Sequence, residues 1–209
     1  TNYFNFIDIE SPVIPILGRT RLSLIYPFVI PIIVVIFANT VNMLEGYNGE
    51  GSGTCLIVSV FLLISSLIWN SGNGVLFSLL AISTFAGFFM FNKYPAKIFP
   101  GDTGTLVMGS TLACIGLFTS LEAVVFIALF AHIFNSFYYI SSARGFFESS
   151  DVQETRSDII LLEDDRIKAS HQKDAIITLP RLILAKGPLK EPELVKNFYI
   201  LSLVGGFIF

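Results

Sequence analysis

Charge is scarce through the middle of this sequence. Of its 29 charged residues, four lie in residues 1–21, nineteen in 143–196 and only six in 22–142. With 53% hydrophobic and 14% charged residues over 209 positions, the chain is far from an average soluble domain, which carries about 25% charge. A stretch this poor in charge is soluble only in lipid, so the composition excludes a water-soluble globule. Basic residues are also few: 13 Lys and Arg against 16 Asp and Glu give a net charge of −3, with no Lys/Arg cluster, which excludes nucleic acid as a partner. There are two cysteines, Cys55 and Cys114, both in apolar runs and without zinc-like spacing, so they read as small core residues. No signal peptide is present, and both ends of the sequence read as cuts in a longer chain.

What is abundant is apolar sequence, in six runs: Leu22–Ala38, Thr54–Trp69, Val75–Phe91, Thr105–Leu121, Ala123–Ile140 and Asn197–Phe209. A helix needs roughly 17–25 residues to cross the hydrocarbon, and backbone polar groups in lipid must be satisfied within the segment. The expected fold is therefore all-α, a multi-pass bundle of about six spans. Pro27 and Pro31 are expected to kink the first span. Arg19 and Arg21 precede the first span, whereas Lys93, Lys97 and the eight Lys/Arg of 144–190 fall on the opposite side. The positive-inside rule then puts loops 39–53, 92–103 and 141–194 in the cytoplasm. The expected organisation is an extracytoplasmic hairpin at 1–21 and a five-helix membrane part at 22–140. A polar cytoplasmic subdomain at 141–194 follows, with a strand at Asp158–Glu163 and an acidic turn at 163–165, and a last span fills 195–209.

Polar residues gather at the cytoplasmic face. Asn39 and Asn42 are three apart and share a helical face if the first helix continues through them, and Glu45 extends that stripe. Four glycines between 46 and 53 form a loop whose backbone can approach a ligand closely. The same residues can equally be a helix C-terminus closed by Asn/Gly turn chemistry. Asp102, after Pro100-Gly101 and before an apolar run, can cap the fourth helix. It can also help to hold magnesium, which takes one or two carboxylates plus substrate phosphate oxygens, at a helix N-terminus suited to anions. A carboxylate at a membrane boundary is costly without a partner, which favours the second role. His132 and Asn135 read as interhelical hydrogen-bonding groups. A rival of another class is a transporter or channel in which Asp102, His132 and Asn135 line an ion path.

Together these clusters resemble the polyprenyl-phosphate N-acetylhexosamine-1-phosphate transferases, and within them the eukaryotic and archaeal UDP-GlcNAc:dolichyl-phosphate GlcNAc-1-phosphotransferase branch. The element N-x-x-N-x-x-x-G-x-N-G is matched by Asn39, Asn42, Gly46, Asn48 and Gly49, and F-x-G-D-T by Phe99, Gly101, Asp102 and Thr103. Pro15–Gly18 and Leu179–Glu191 are similar to further segments of that branch. The resemblance implies transfer of GlcNAc-1-phosphate from UDP-GlcNAc to a polyprenyl or dolichyl phosphate, the first step of lipid-linked oligosaccharide synthesis for N-glycosylation. It implies Mg2+, or Mn2+ in its place, on Asn42 and Asp102. Asn48 and the Gly46 backbone would read the uracil edge, Phe99 would stack on the ring, and Asn39 and Glu45 would shape the floor. Arg156 is the nearest counterpart of the family's sugar- and phosphate-binding arginine, although the family's R-x-R is here Arg156-Ser-Asp158. The implied setting is the endoplasmic reticulum membrane of a eukaryote or the plasma membrane of an archaeon. The implied partners are the bilayer and an N-terminal half that carries an acidic pair and a lysine, with a homodimer left open. The first 142 residues contain no Asp-Asp pair, and the histidine-rich loop of the phospho-MurNAc-pentapeptide branch is missing.

Overall fold

A computed structural model describes residues 13–14, 18–19, 26–143 and 156–208. Within the described residues each of the six apolar runs is helical over most of its length. The helices are α1 (Tyr26–Leu44), α2 (Glu50–Ile68), α3 (Gly72–Asn92), α4 (Gly101–Thr119), α5 (Glu122–Ala128), α6 (Phe130–Ala143), a short α7 (Leu179–Leu184) and α8 (Glu191–Ile208). Two strands, β1 (Val13–Ile14) and β2 (Gly18–Arg19), pair antiparallel; the rest of the expected hairpin, most of the Pro15–Gly18 segment, residues 144–155 and Phe209 lie outside the described residues. Helices α2 and α3 are long and apolar enough to cross a membrane singly. The fifth run is not one straight rod: α5 and α6 meet at Leu129 with a bend of 66°, and only together do they match a span. No Pro or Gly marks this break. The bend lies where Gly205 of α8 packs on the Ile127 carbonyl, so close that an added Cβ would sit 2.5 Å from the oxygen. α1 runs unbroken through Pro31 to Leu44.

The chain is thus an all-α, multi-pass integral membrane protein with apolar outer faces, as on α3, where Leu76, Leu79, Leu80 and Met90 are exposed. Its core has two main parts, besides a small cluster of Tyr139, Ala143 and Ile176. One lies among α1 to α5 around Val41, Cys55, Val58, Leu62, Leu112 and Leu129. The other joins the bundle to the polar segment at one end, through Leu44, Tyr47, Ile167, Leu184, Leu194 and Phe198. There the expected strand is present as β3 (Ile159–Leu161), paired antiparallel with β4 (Arg166–Ala169), which pairs in turn with β5 (Leu189–Lys190). Asp165, at φ 60°, closes the acidic turn between β3 and β4. This sheet, the α1–α2 loop and the α3–α4 loop form the polar end of the molecule.

Candidate active site

Because α1 continues to Leu44, Asn39 and Asn42 are both helical residues. α4 begins at Gly101, whose φ of 59° suits glycine. The two helices come close because residue 109 has no side chain: a Cβ there would lie 2.5 Å from the Phe37 carbonyl oxygen and 2.7 Å from the Ala38 Cα. Two turns toward the polar end, the approach brings Asp102 to Asn42 across sixty residues of sequence. Asn42 Nδ2 donates to Asp102 Oδ1 at 3.1 Å and to Thr105 Oγ1 at 2.7 Å. Thr105 spends its own proton on the Gly101 or Asp102 carbonyl, so its oxygen is free to accept and fixes the Asn42 amide. Asp102 does not cap α4; that position is held by Pro100, without a side-chain cap. Thr105 lies one turn beyond Asp102 on the same face, a spacing from which the sequence could have suggested it.

Asn42 lines a cavity of about 420 Å³ together with Glu45, Gly46, Tyr139, Arg156 and Asp158. At Gly46 the space a side chain would occupy is open, with nothing within 4 Å. Arg156, the one Lys or Arg among the residues lining the cavity, is anchored through Nε to the Asp174 carbonyl (2.6 Å) and through Nη2 to the Ser142 carbonyl (3.1 Å). Among the described residues, no group of three or more His, Cys, Asp or Glu converges as a metal set.

The other expected site residues are placed differently. Asn39 is exposed, donates to the Val35 carbonyl one turn back and does not line the cavity. Phe99 is 54% exposed on the α3–α4 loop. The Asn48 amide is occupied on both sides: its backbone N and Nδ2 donate to Glu191 Oε1 at the start of α8, and its Oδ1 accepts from Ala96 N at 2.6 Å. Two of the loop glycines make room for protein rather than ligand. A Cβ at Gly51 would come within 2.2 Å of Glu45 Oε2, and one at Gly53 within 2.5 Å of the Tyr199 ring, whose hydroxyl donates to the Gly49 carbonyl.

Glu45 turns back from the loop, and its Oε2 accepts from Gly51 N at 2.6 Å, satisfying an otherwise orphaned N–H in the first turn of α2. Burial, and then the neighbouring Glu50, push the Glu45 carboxyl up to about 9, against the pull of the Gly51 N–H. Glu50 is absent from the sequence expectations because a lone Glu in a Gly-rich loop reads as solvated; here it is wholly buried.

The ion-path alternative requires Asp102, His132 and Asn135 to share a passage, and they do not. Asp102 is exposed at the rim, whereas His132 is wholly buried against Thr54 and Glu50. Asn135 is a clamp: its Nδ2 donates to the Met43 carbonyl (3.1 Å) and its Oδ1 accepts from Leu179 N (2.8 Å), tying α1 to the segment that precedes α8. Asn135→Leu leaves both backbone groups without their partner, at about 1–3 kcal/mol each. The expected result is a lower unfolding midpoint in detergent and faster proteolysis of the 156–190 segment. Unchanged values for both would show that the clamp holds nothing.

Comparison with known proteins gives the following. The description glycosyl transferase family 4 matches residues 1–120. A protein of Methanocaldococcus jannaschii, named provisionally as a glycosyltransferase, is 32% identical over 193 residues, covering 91% of this chain and 61% of that protein. One from Sulfolobus acidocaldarius, named provisionally as a UDP-N-acetylglucosamine–dolichyl-phosphate N-acetylglucosaminephosphotransferase, is 39% identical over 109 residues, 50% of this chain and 33% of its own. The phospho-N-acetylmuramoyl-pentapeptide-transferase of Bacillus licheniformis is 33% identical over 114 residues, 52% and 35% of the two chains. The chain spans less than two thirds of the length of each of these relatives.

Proposed function

The chain belongs to glycosyl transferase family 4, and on that premise we propose that the complete protein transfers a sugar-1-phosphate, GlcNAc-1-phosphate in the first instance, from its UDP-sugar to a polyprenyl phosphate of the dolichyl type. The observation that carries this reading is the Asn42–Asp102 contact beside a cavity that also holds Arg156. In the reaction an oxygen of the lipid phosphate attacks the β-phosphorus of UDP-GlcNAc. A new P–O–P linkage forms, the bond from the β-phosphorus to the bridging oxygen breaks, and UMP leaves with that oxygen. Such transfer asks for positioning and neutralisation of phosphate charge more than for covalent chemistry.

The donor set fits a hard divalent cation. Asp102 offers a carboxylate, and Asn42, its Nδ2 taken by Asp102 and Thr105, keeps its amide oxygen for a ligand. Mg2+ commonly binds one or two such groups and completes its shell with substrate phosphate oxygens and water. When bound, Mg2+ (or Mn2+) would supply charge neutralisation on the diphosphate. Arg156, held by two carbonyls, brings a cation to the cavity wall, and the open space above Gly46 lets a ligand reach the backbone. Phe99, exposed at the rim, is available for a nucleobase. The bias of Lys and Arg supports a cytoplasmic polar end, in the endoplasmic reticulum or in an archaeal plasma membrane. The relatives are longer than this chain, which leaves room for the further portion, N-terminal in this reading, that completes the site. Formation of the first lipid-linked sugar for N-glycosylation is the pathway step this chemistry suits.

The test is UMP release from UDP-GlcNAc by the complete protein in lipid, with polyprenyl phosphate and Mg2+ each present or withheld. Release that requires both supports the proposal. Release that ignores the lipid phosphate, or none with any UDP-N-acetylhexosamine, overturns it.

A further inference from the structure

Behind the cavity floor lies a group of buried polar atoms that the transfer scheme does not use. Glu50 and His132 are both fully shielded from solvent. His132 Nε2 sits 3.1 Å from Thr54 Oγ1 and 3.3 Å from Glu50 Oε1. Thr54 gives its proton to the Glu50 or Gly51 carbonyl, so its oxygen accepts and His132 Nε2 is the protonated nitrogen. On the other side Glu50 lies within hydrogen-bonding reach of Glu45, the residue that faces the cavity. As two carboxylates the pair is badly provided for: among the described residues Glu45 Oε1 and both oxygens of Glu50 are buried and make no hydrogen bond. Glu50 Oε1 has beside it His132 Nε2, which is engaged with Thr54, and His132 Nδ1 is unpaired as well among the described residues. Buried polar groups are rarely left so, because each costs its full desolvation. A single proton between the two carboxyls joins one oxygen of each in a hydrogen bond, as in other carboxyl pairs that share one site.

We propose that Glu45 and Glu50 share one proton, with Glu50 and His132 as positioning residues that hold the Glu45 carboxyl in place and keep one negative charge, rather than two, beside the diphosphate subsite. This rests on the reading of the cavity as a sugar-nucleotide site. The groups facing the pair bear it out. They are the Tyr47 phenol from the same loop, the Cys55 thiol one turn along α2, the Tyr199 phenol from α8 and His132 from α6. Asp158 and Arg156 line the cavity with Glu45, and Arg156 is engaged by the Asp174 and Ser142 carbonyls. Among the described residues no Lys or Arg pairs with either carboxyl, and a shared proton balances the second carboxylate. Gly51 is part of the device, since a Cβ there would displace the Glu45 oxygen.

The experiment uses the complete protein in lipid nanodiscs and two readouts. First, infrared difference spectra between pH 7 and pH 10, without substrate, are expected to show the carbonyl stretch of one protonated carboxyl lost on the alkaline side, with a midpoint near the value of about 9 held by Glu45. In Glu50→Gln, which keeps size and hydrogen bonding, that midpoint falls by at least about one pH unit, because the opposing carboxylate is gone. Glu45→Gln moves or removes the same band and serves if the first variant folds poorly. Second, KM for UDP-GlcNAc rises severalfold in the wild type as pH passes that midpoint, with a smaller change in kcat, and the rise is absent at that pH in Glu50→Gln. A wild type with no protonated carboxyl at pH 7, or a band whose midpoint is the same in Glu50→Gln, overturns the proposal. The infrared arm needs no turnover, so a protein that shows the band and releases no UMP fails the functional reading alone.

Discussion

Asp102→Asn is expected to remove transfer almost entirely, by at least about 100-fold in kcat/KM or ~2.7 kcal/mol of transition-state stabilisation. The size of the effect follows from how little else could do the same work. Asp102 is the carboxylate in contact with Asn42, and among the described residues no cluster of His, Cys, Asp or Glu offers a second metal set. Asparagine keeps the shape and can still accept from Asn42 Nδ2, so the α1–α4 contact survives, and the change in stability should stay within about 0.5 kcal/mol, as for most exposed substitutions. What is lost is one negative charge where a divalent ion would sit. Titrating Mg2+ in the UMP-release assay checks this. The variant should need far more Mg2+ for any activity and should unfold at the wild-type temperature. Thr105→Ala, which frees the Asn42 amide without touching the carboxylate, should cost an intermediate amount, about 10-fold or more in apparent Mg2+ affinity, as orienting partners of metal ligands typically do. Near-normal turnover of Asp102→Asn at low Mg2+ would end the metal role.

That Asn42 and Asp102 meet was legible because both sit on signals that survive without tertiary information. An amide three residues past another within a helix, and a carboxylate directly before an apolar run, each point to one end of the bundle. The spans were legible for the same reason, since lipid leaves helix as the solution for a long apolar run. The remainder of the site depends on partners distant in sequence. Nothing near Asn48 announces that its amide will be taken by Glu191, 143 residues on, and by Ala96. Gly53 reads as room for a ligand until Tyr199 arrives from α8 to fill it. Glu50 looks like a solvated loop charge, because burial is a property of the packed loop and not of the local sequence. The bend at Leu129 has no Pro or Gly to mark it and is associated with the close fit of Gly205 from another helix.

Asn48→Asp should be among the most destabilising single substitutions in the protein, at about 3 kcal/mol or more. Asn48 joins three segments at the polar end: its backbone N and Nδ2 both donate to Glu191 Oε1 on α8, and its Oδ1 receives the Ala96 N–H from the α3–α4 loop. Aspartate preserves the acceptor for Ala96 but turns the donor facing Glu191 into a second carboxylate, in part-buried surroundings. The pH dependence has a definite sign. Two opposed carboxylates raise each other's affinity for a proton, so the penalty is largest at pH 8 and shrinks as acid supplies a shared proton, and the wild type shows no such gain on acidification at this position. Thermal unfolding of both proteins at pH 8 and pH 5 measures it, and a gap that does not narrow toward pH 5 would show that the two side chains are not in contact. Glu191→Gln, which keeps an acceptor and adds no charge, should cost only about 1 kcal/mol. The comparison also bears on nucleotide recognition. An amide held by protein on both sides reaches a uracil edge only when Glu191 or Ala96 releases it. If Asn48 does read the base, Glu191→Gln should therefore tighten UMP binding while weakening the fold, an opposition that a purely structural clip does not produce.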